Sequence, residues 1–255
     1  MHHPLFLETG LAPDTAAIFR RSEQIALEAA GAVITTSAMT ADIVAQEFST
    51  PRARLFFAPP GVDPAPRATR SGGGGVSLFS VGSLTPRKGY ADLVRALTHV
   101  SGAWRLTIAG SRDLAPDHAR EIETMIATSG LSDRIHLAGA MNASEIAAGY
   151  ASADLFVTPS HFEGFGMAIA EAIAHGLPVI ATREVAAAGA LPATAGLTYP
   201  AGDALALAAC LNRLIADADL RAALSDAAWT AAQKQFRWSD TARAFLDAIR
   251  AGAAA

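Results

Sequence analysis

A single cysteine, Cys210, in 255 residues leaves no intrachain disulfide and no thiolate zinc site to consider. It sits in an Ala/Leu-rich helical pattern, where packing is its expected role. Positive charge is also scarce, with 20 Lys and Arg against 24 Asp and Glu and a net charge of −4. Such a balance excludes nucleic acid as a principal partner, so any phosphate must be met by a local cluster of cations. Apolar runs are short and interrupted, and Met1-His2-His3-Pro4 shows no basic stretch leading into an apolar one. The expectation is a soluble cytoplasmic protein. No strongly basic amphipathic helix argues for membrane binding, although peripheral membrane contact stays compatible with the chain. Metal-ligand spacing is lacking too. Asp217-Ala218-Asp219 falls between two helical stretches, where an aspartate caps the second, so no metal and no cofactor is expected.

What is present is a globular composition, 51% hydrophobic and 17% charged, enough for one large core or two small ones. From Val76 onward short β-rich runs at 76–81, 105–109, 134–137, 155–158 and 178–181 alternate with helical stretches at 90–100, 117–129, 143–150 and 166–175. This alternation predicts an α/β fold, a Rossmann-like parallel sheet built from right-handed βαβ units, with the ligand at the carboxyl ends of its strands. Three more helices are expected near 203–216, 220–235 and 239–251, the last with Ser239 as N-cap. Upstream, helices at 14–30 and 38–48 and strands at 32–35 and 55–58 form a partial second α/β unit. The expected division is 1–67 for that unit, 68–75 for a glycine-rich linker, 76–235 for the Rossmann-like domain, and 236–255 for a last helix. About 67 residues is short for an autonomous domain. A missing N-terminal segment, a partner chain or self-association would each complete it.

Chemistry is expected at Glu163-Gly164-Phe165-Gly166-Met167, a loop that runs into a helix carrying Glu171 and on to Gly176-Leu177-Pro178. The Gly-Phe-Gly step lets the backbone turn tightly and present free amides at a helix N-terminus, which suits phosphate or sugar oxygens. Glu171, early in that helix, can accept hydrogen bonds from a vicinal diol such as a ribose, and Glu163 on the loop can reach a second polyol. Two glutamates alone would be ordinary solvated acids. The ordered set of acid, spaced glycines, apolar helix and Gly-Leu-Pro strand start is far more specific. A second block, Phe79-Ser80-Val81-Gly82-Ser83-Leu84-Thr85-Pro86-Arg87-Lys88-Gly89-Tyr90, places cations after a strand and glycine turn on the same edge. Gly82-x6-Gly89 is neither a P-loop nor a dinucleotide fingerprint, so ATPase and NAD readings lose their support.

Together these blocks resemble the nucleotide-sugar site of the family-four retaining glycosyltransferases, whose two-domain architecture is called GT-B. The resemblance runs from about residue 76 to the C-terminus and is weaker upstream. It implies a metal-independent enzyme that transfers a hexose from a nucleoside-diphosphate sugar to an unknown glycan, lipid or small-molecule acceptor. It implies diphosphate binding by Lys88 with Arg87 near Gly82 and Ser83, base contacts from Gly139, Ala140 and Met141, ribose binding by Glu171, and sugar contacts from Glu163 and the Gly164 to Met167 amides. It also implies that His3 is the relic of a histidine beside the reacting sugar, and that the last helix crosses back onto the N-terminal part. In the family, 1–67 would be the back half of the first domain. The chain departs from the pattern at Ser83, where many relatives carry arginine. A second departure is Gly189-Ala190-Leu191-Pro192, a shortened loop with Ala193 in place of an acid. Two other readings stay open: a donor-binding fragment that transfers nothing, and a nucleotide-sugar epimerase.

Overall fold

The computed structural model describes residues 1–8, 10–69, 74–187 and 189–253. Helix α1 (Pro13–Ala29) begins with proline at its first position, where the missing N–H costs nothing. Strand β1 (Val33–Thr35), helix α2 (Ala38–Glu47) and strand β2 (Leu55–Phe57) follow. Ser37 caps α2 by accepting from the Thr40 amide at 3.0 Å. β1 and β2 pair in parallel, and Leu27, Val33, Val44 and Phe48 form a small core beneath them.

The main sheet is built by β3 (Val76–Val81), β4 (Trp104–Ala109), β5 (Ile135–Gly139), β6 (Leu155–Thr158), β7 (Val179–Thr182) and β8 (Gly196–Tyr199). All pairs are parallel, in the order β5-β4-β3-β6-β7-β8. Between them run α3 (Tyr90–Leu97), α4 (Pro116–Thr128), α5 (Ala143–Ser152), α6 (Met167–Ala174) and the single turn α7 (Arg183–Ala186). The chain closes with α8 (Ala204–Ala216), α9 (Ala218–Ala232) and α10 (Trp238–Ala253). Alternate strand residues feed opposite cores. Leu78, Leu106 and Leu155 join Leu93, Ile122 and Leu211 on one face, while Phe79, Phe156 and Val179 join Ile169, Ile173 and Ala228 on the other.

This order, counted from β3, is that of a doubly wound sheet whose direction of winding reverses between β3 and β6. A crevice opens at such a switch point, outside the strands' carboxyl ends. The α/β class with a Rossmann-like sheet is therefore as the sequence indicates. Sequence pattern did not reveal β8 or α7. β8 is a four-residue edge strand, and α7 is one turn capped by the Thr182 hydroxyl. Ser239 is a correction: α10 already begins at Trp238, and the Arg237 amide is met by Asp240 Oδ2 at 3.0 Å. Asp217 does cap α9, accepting from the Leu220 amide at 2.8 Å. Residues 70–73 of the expected linker lie outside the described residues; just before them, the Ala68 amide donates to the His175 carbonyl at 2.9 Å and that of Thr69 to Ala151 at 3.0 Å. Among the described residues, no helix is long and apolar enough to cross a membrane.

The start of α10 packs on the segment after β2. The Val62 amide donates to the Phe236 carbonyl at 2.8 Å, and the Thr241 hydroxyl to Pro59 O at 2.7 Å. Gly61 permits this approach, since a Cβ there would lie 2.2 Å from the Trp238 nitrogen. Gly61→Ala must therefore push two backbones apart, and is expected to cost about 1–3 kcal/mol, the scale of overpacking. Urea unfolding with an unchanged midpoint would contradict this docking of α10.

Candidate functional site

The loop after β3 and the loop after β6 face each other across the switch point. The first passes Gly82 and Ser83, makes a 3-10 turn over Pro86–Lys88 and enters α3 at Gly89. Lys88 folds back over Gly82, so closely that a Cβ on Gly82 would lie 3.0 Å from its Cε. Gly89 lies against the other loop, where a Cβ would come within 2.1 Å of Pro159 O. His161 completes the brace, with its amide on Arg87 O at 2.8 Å and its Nε2 2.6 Å from buried Asp92 Oδ2. That histidine supports the loops rather than facing the cleft's carboxylates.

Glu163 is the junction. Lys88 Nζ donates to its Oε1 at 2.5 Å, and Arg87 Nη1 lies 3.3 Å from its Oε2. All three side chains are only 16–18% exposed, so water screens these attractions poorly. Burial pushes the Glu163 carboxyl up, but the Lys88 charge and hydrogen bond, with Arg87, outweigh it and hold the group below its ordinary value. Arg87 has two further partners: its Nε donates to Glu8 Oε1 at 2.9 Å and its Nη1 to Phe162 O at 2.8 Å. Arg87 is thus tied to the N-terminal segment as well as to Glu163, which the sequence did not foretell.

His3 is drawn to the same rim. Its ring meets Phe162 edge-on at 5.8 Å, and its Nε2 lies 3.4 Å from Glu8 Oε2. Gly164 packs on this segment, for a Cβ there would fall 1.9 Å from His2 O, and the Thr40 hydroxyl spans His2 O and Gly164 O at 3.2 Å each. Gly166, at φ +94, turns the chain into α6 with no side-chain cap on its first turn. Phe165 lines a neighbouring apolar pocket of about 370 Å³ together with Phe57, Val62, Ala190 and Phe236.

Glu171 opens onto a cleft of about 590 Å³, shared with Met141, Met167, Tyr150, His175 and Asp63. Gly139 closes β5 with its carbonyl accepting from Gly110 N at 2.7 Å, and exposed Ala140 follows it. Glu171 is the fifth residue of α6, beyond the first turn where the helix dipole acts. Burial pushes its carboxyl above the ordinary value, and the Tyr150 hydroxyl, donating to Oε2 at 3.0 Å, offsets that only in part. Sequence pattern did not single out Tyr150. His175 stacks on Tyr150 at 5.4 Å, and its Nδ1 meets Pro66 O at 3.0 Å. Burial lowers its pKa.

Comparison with known proteins bears on the family and the fold. The family described as "Glycosyl transferases group 1" matches residues 75–217. D-inositol 3-phosphate glycosyltransferase from Xylanimonas cellulosilytica is 30% identical over 247 residues, covering 88% of this chain and 58% of that protein. MMP alpha-(1->4)-mannosyltransferase from Mycolicibacterium hassiacum is 30% identical over 218 residues, covering 82% and 51%. This chain therefore spans a little over half the length of these relatives. Among solved structures, sucrose-phosphate synthase from Thermosynechococcus elongatus superposes with a TM-score of 0.81 at 26% identity, over 98% of this chain and 66% of that one. Anabaena Alr3699/HepE in complex with UDP and glucose shares the fold, with a TM-score of 0.83 at 20% identity over 98% and 70%.

The two carboxyls are shifted in opposite directions, and folding stability should follow. Glu163, held low, contributes stability above the ordinary carboxylate range of about pH 4, lost as pH falls through its folded value. Glu171, held high, contributes stability in acid that is lost as pH rises through its folded value, so its charged form is a cost at neutral pH. At pH 7, Glu163→Gln is expected to unfold earlier in urea than wild type and Glu171→Gln later, both gaps closing in acid. Shifts of the same sign for both variants would contradict the assigned environments.

Proposed function

The chain belongs to the group 1 glycosyl transferases, and we propose that its doubly wound sheet binds a nucleoside-diphosphate sugar for transfer of a hexose to an acceptor with retention of configuration. The observation that carries this reading is the joining of Lys88 and Arg87 at the switch point to Glu163, in the loop that leads into the helix carrying Glu171. A lysine point charge and an arginine fork suit a diphosphate. Glu171 faces a cleft whose volume suits a nucleoside. Met141, with Gly139 and Ala140 behind it, would meet the base. Glu163 and the amides from Gly164 to Met167 would meet the sugar, and His3 lies on the same rim. The neighbour solved with UDP and glucose supports UDP as the first nucleotide to test.

In the reaction we infer, the bond from the anomeric carbon to the leaving phosphate oxygen breaks as the acceptor hydroxyl oxygen bonds to that carbon. The acceptor's proton passes to an oxygen of the departing phosphate. Lys88 and Arg87 stabilise the charge that collects on the diphosphate, and the rest of the site positions the reactants. No metal enters this scheme. For the cations to meet a diphosphate, Lys88 must exchange part of its pairing with Glu163. The carboxylate so released is the group proposed to accept from sugar hydroxyls.

Lys88→Ala is expected to weaken UDP binding by about 1.5–3 kcal/mol, the scale of a charged hydrogen bond, with the fold retained. Calorimetry that finds unchanged affinity in the folded variant would remove the diphosphate role. The glutamates should separate by ligand. Glu171→Ala should weaken UDP and UDP-glucose alike, whereas Glu163→Ala should act mainly on UDP-glucose. Equal loss of free UDP in both variants would contradict the division between ribose and sugar.

A further inference from the structure

Tyr150, in the last turn of α5, is 1% exposed and held by rings on three sides. Phe79 meets it edge-on at 5.2 Å, Phe156 is tilted against it at 5.5 Å, and His175 stacks on it at 5.4 Å. Such packing fixes where the phenol oxygen lies. That oxygen is 3.0 Å from Glu171 Oε2 and 3.1 Å from Ala168 O. A phenol has one proton to give. When Glu171 is ionised, the carboxylate is the stronger acceptor and takes it, because charge-assisted hydrogen bonds are the stronger kind. Glu171 is the fifth residue of α6, on a side chain with three rotatable bonds, so without an anchor its carboxylate would sample several rotamers at the cleft wall.

We propose that Tyr150 is a positioning residue for Glu171: its hydroxyl pins Oε2, so that Oε1 is presented to the vicinal diol of a ribose. This rests on the nucleotide-binding reading above. The arrangement removes rotamer freedom before the ligand arrives, so less is lost on binding. It also keeps Glu171 ionised to a lower pH than burial alone would allow, since the same hydroxyl bond favours the charged form. The other titratable groups near the pair are His175 at the end of α6, Tyr90 on α3 and Asp63 across the cleft. His175 packs against the flat face of the phenol and is occupied by Pro66 O through its Nδ1. It shapes the Tyr150 pocket but does not compete for the Tyr150 proton.

Tyr150→Phe keeps the ring that Phe79, Phe156 and His175 hold and removes only the hydroxyl. In the ligand-free protein, a ¹³C NMR titration of the Glu171 carboxyl is expected to shift upward in this variant. By calorimetry at pH 7, the variant should bind UDP about five- to thirty-fold more weakly than wild type, the range of a lost or loosened charged hydrogen bond. Its binding should also fail at a higher pH as acid is added. In a Glu171→Gln background the same substitution should change UDP affinity by less than about twofold, because the coupled partner is already gone. An unchanged Glu171 titration, or an equal loss of affinity in the Gln background, would overturn the proposal. Wild-type protein that did not bind UDP would count against the nucleotide reading alone, with the ligand-free titration still deciding the Tyr150 to Glu171 coupling.

Discussion

A carboxylate mostly withdrawn from water between two cations is the interaction on which this site depends. Glu163 cannot be left there alone, since a shielded charge without its partner costs several kcal/mol. Lys88 and Arg87 answer it from the loop that follows the neighbouring strand of the sheet. The pairing therefore holds two loops in register across the switch point, each at the carboxyl end of a different strand. The His161 to Asp92 contact and the close approach of Gly89 to Pro159 fix the same two loops from behind. Arg87 extends the arrangement to Glu8, so the N-terminal segment is tied electrostatically to the larger sheet.

Two glutamates eight positions apart are thus placed in opposite environments by the helix start between them. Glu163 precedes the turn at Gly166 and faces cations; Glu171 follows it and faces a buried phenol. One is stabilised as an anion by the fold, and the other is kept ionisable at some cost to the fold. A stability cost of this kind is common where a polar group is retained for binding. The two groups can then respond differently as a ligand arrives. The anion at Glu163 must exchange partners, whereas the carboxylate of Glu171 already has its geometry set by Tyr150.

Much of this was legible in the sequence, for reasons that differ from residue to residue. Glycines at 82, 89, 164 and 166 marked loops because each lies at a close approach or a sharp turn, and the alternation of short apolar runs with helical stretches revealed the parallel sheet. Lys88 and Glu163 stood out through their neighbours in sequence, yet their mutual pairing joins segments 75 residues apart and has no local signature. Tyr150 reads locally as one more apolar position on an Ala-rich helix; only the packing of α5 against α6 brings its hydroxyl to Glu171. Glu8 escaped notice for a similar reason, since nothing near it suggests a partner on the loop after β3. The strand β8 was hidden by its shortness and its place at the sheet edge. Ser239 had the chemistry of a cap, but with Phe236 and Arg237 bonded to Val62 the helix α10 starts two residues earlier than that cap would set it.

The most direct test of this account is a crystal structure of the chain with UDP. The diphosphate is expected within hydrogen-bond distance of Lys88 Nζ, the ribose hydroxyls on Glu171 with Tyr150 still bonded to its other oxygen, and the Lys88 to Glu163 pair loosened. UDP bound elsewhere, or bound in this cleft with Glu171 turned away and the Lys88 to Glu163 pair untouched, would contradict it.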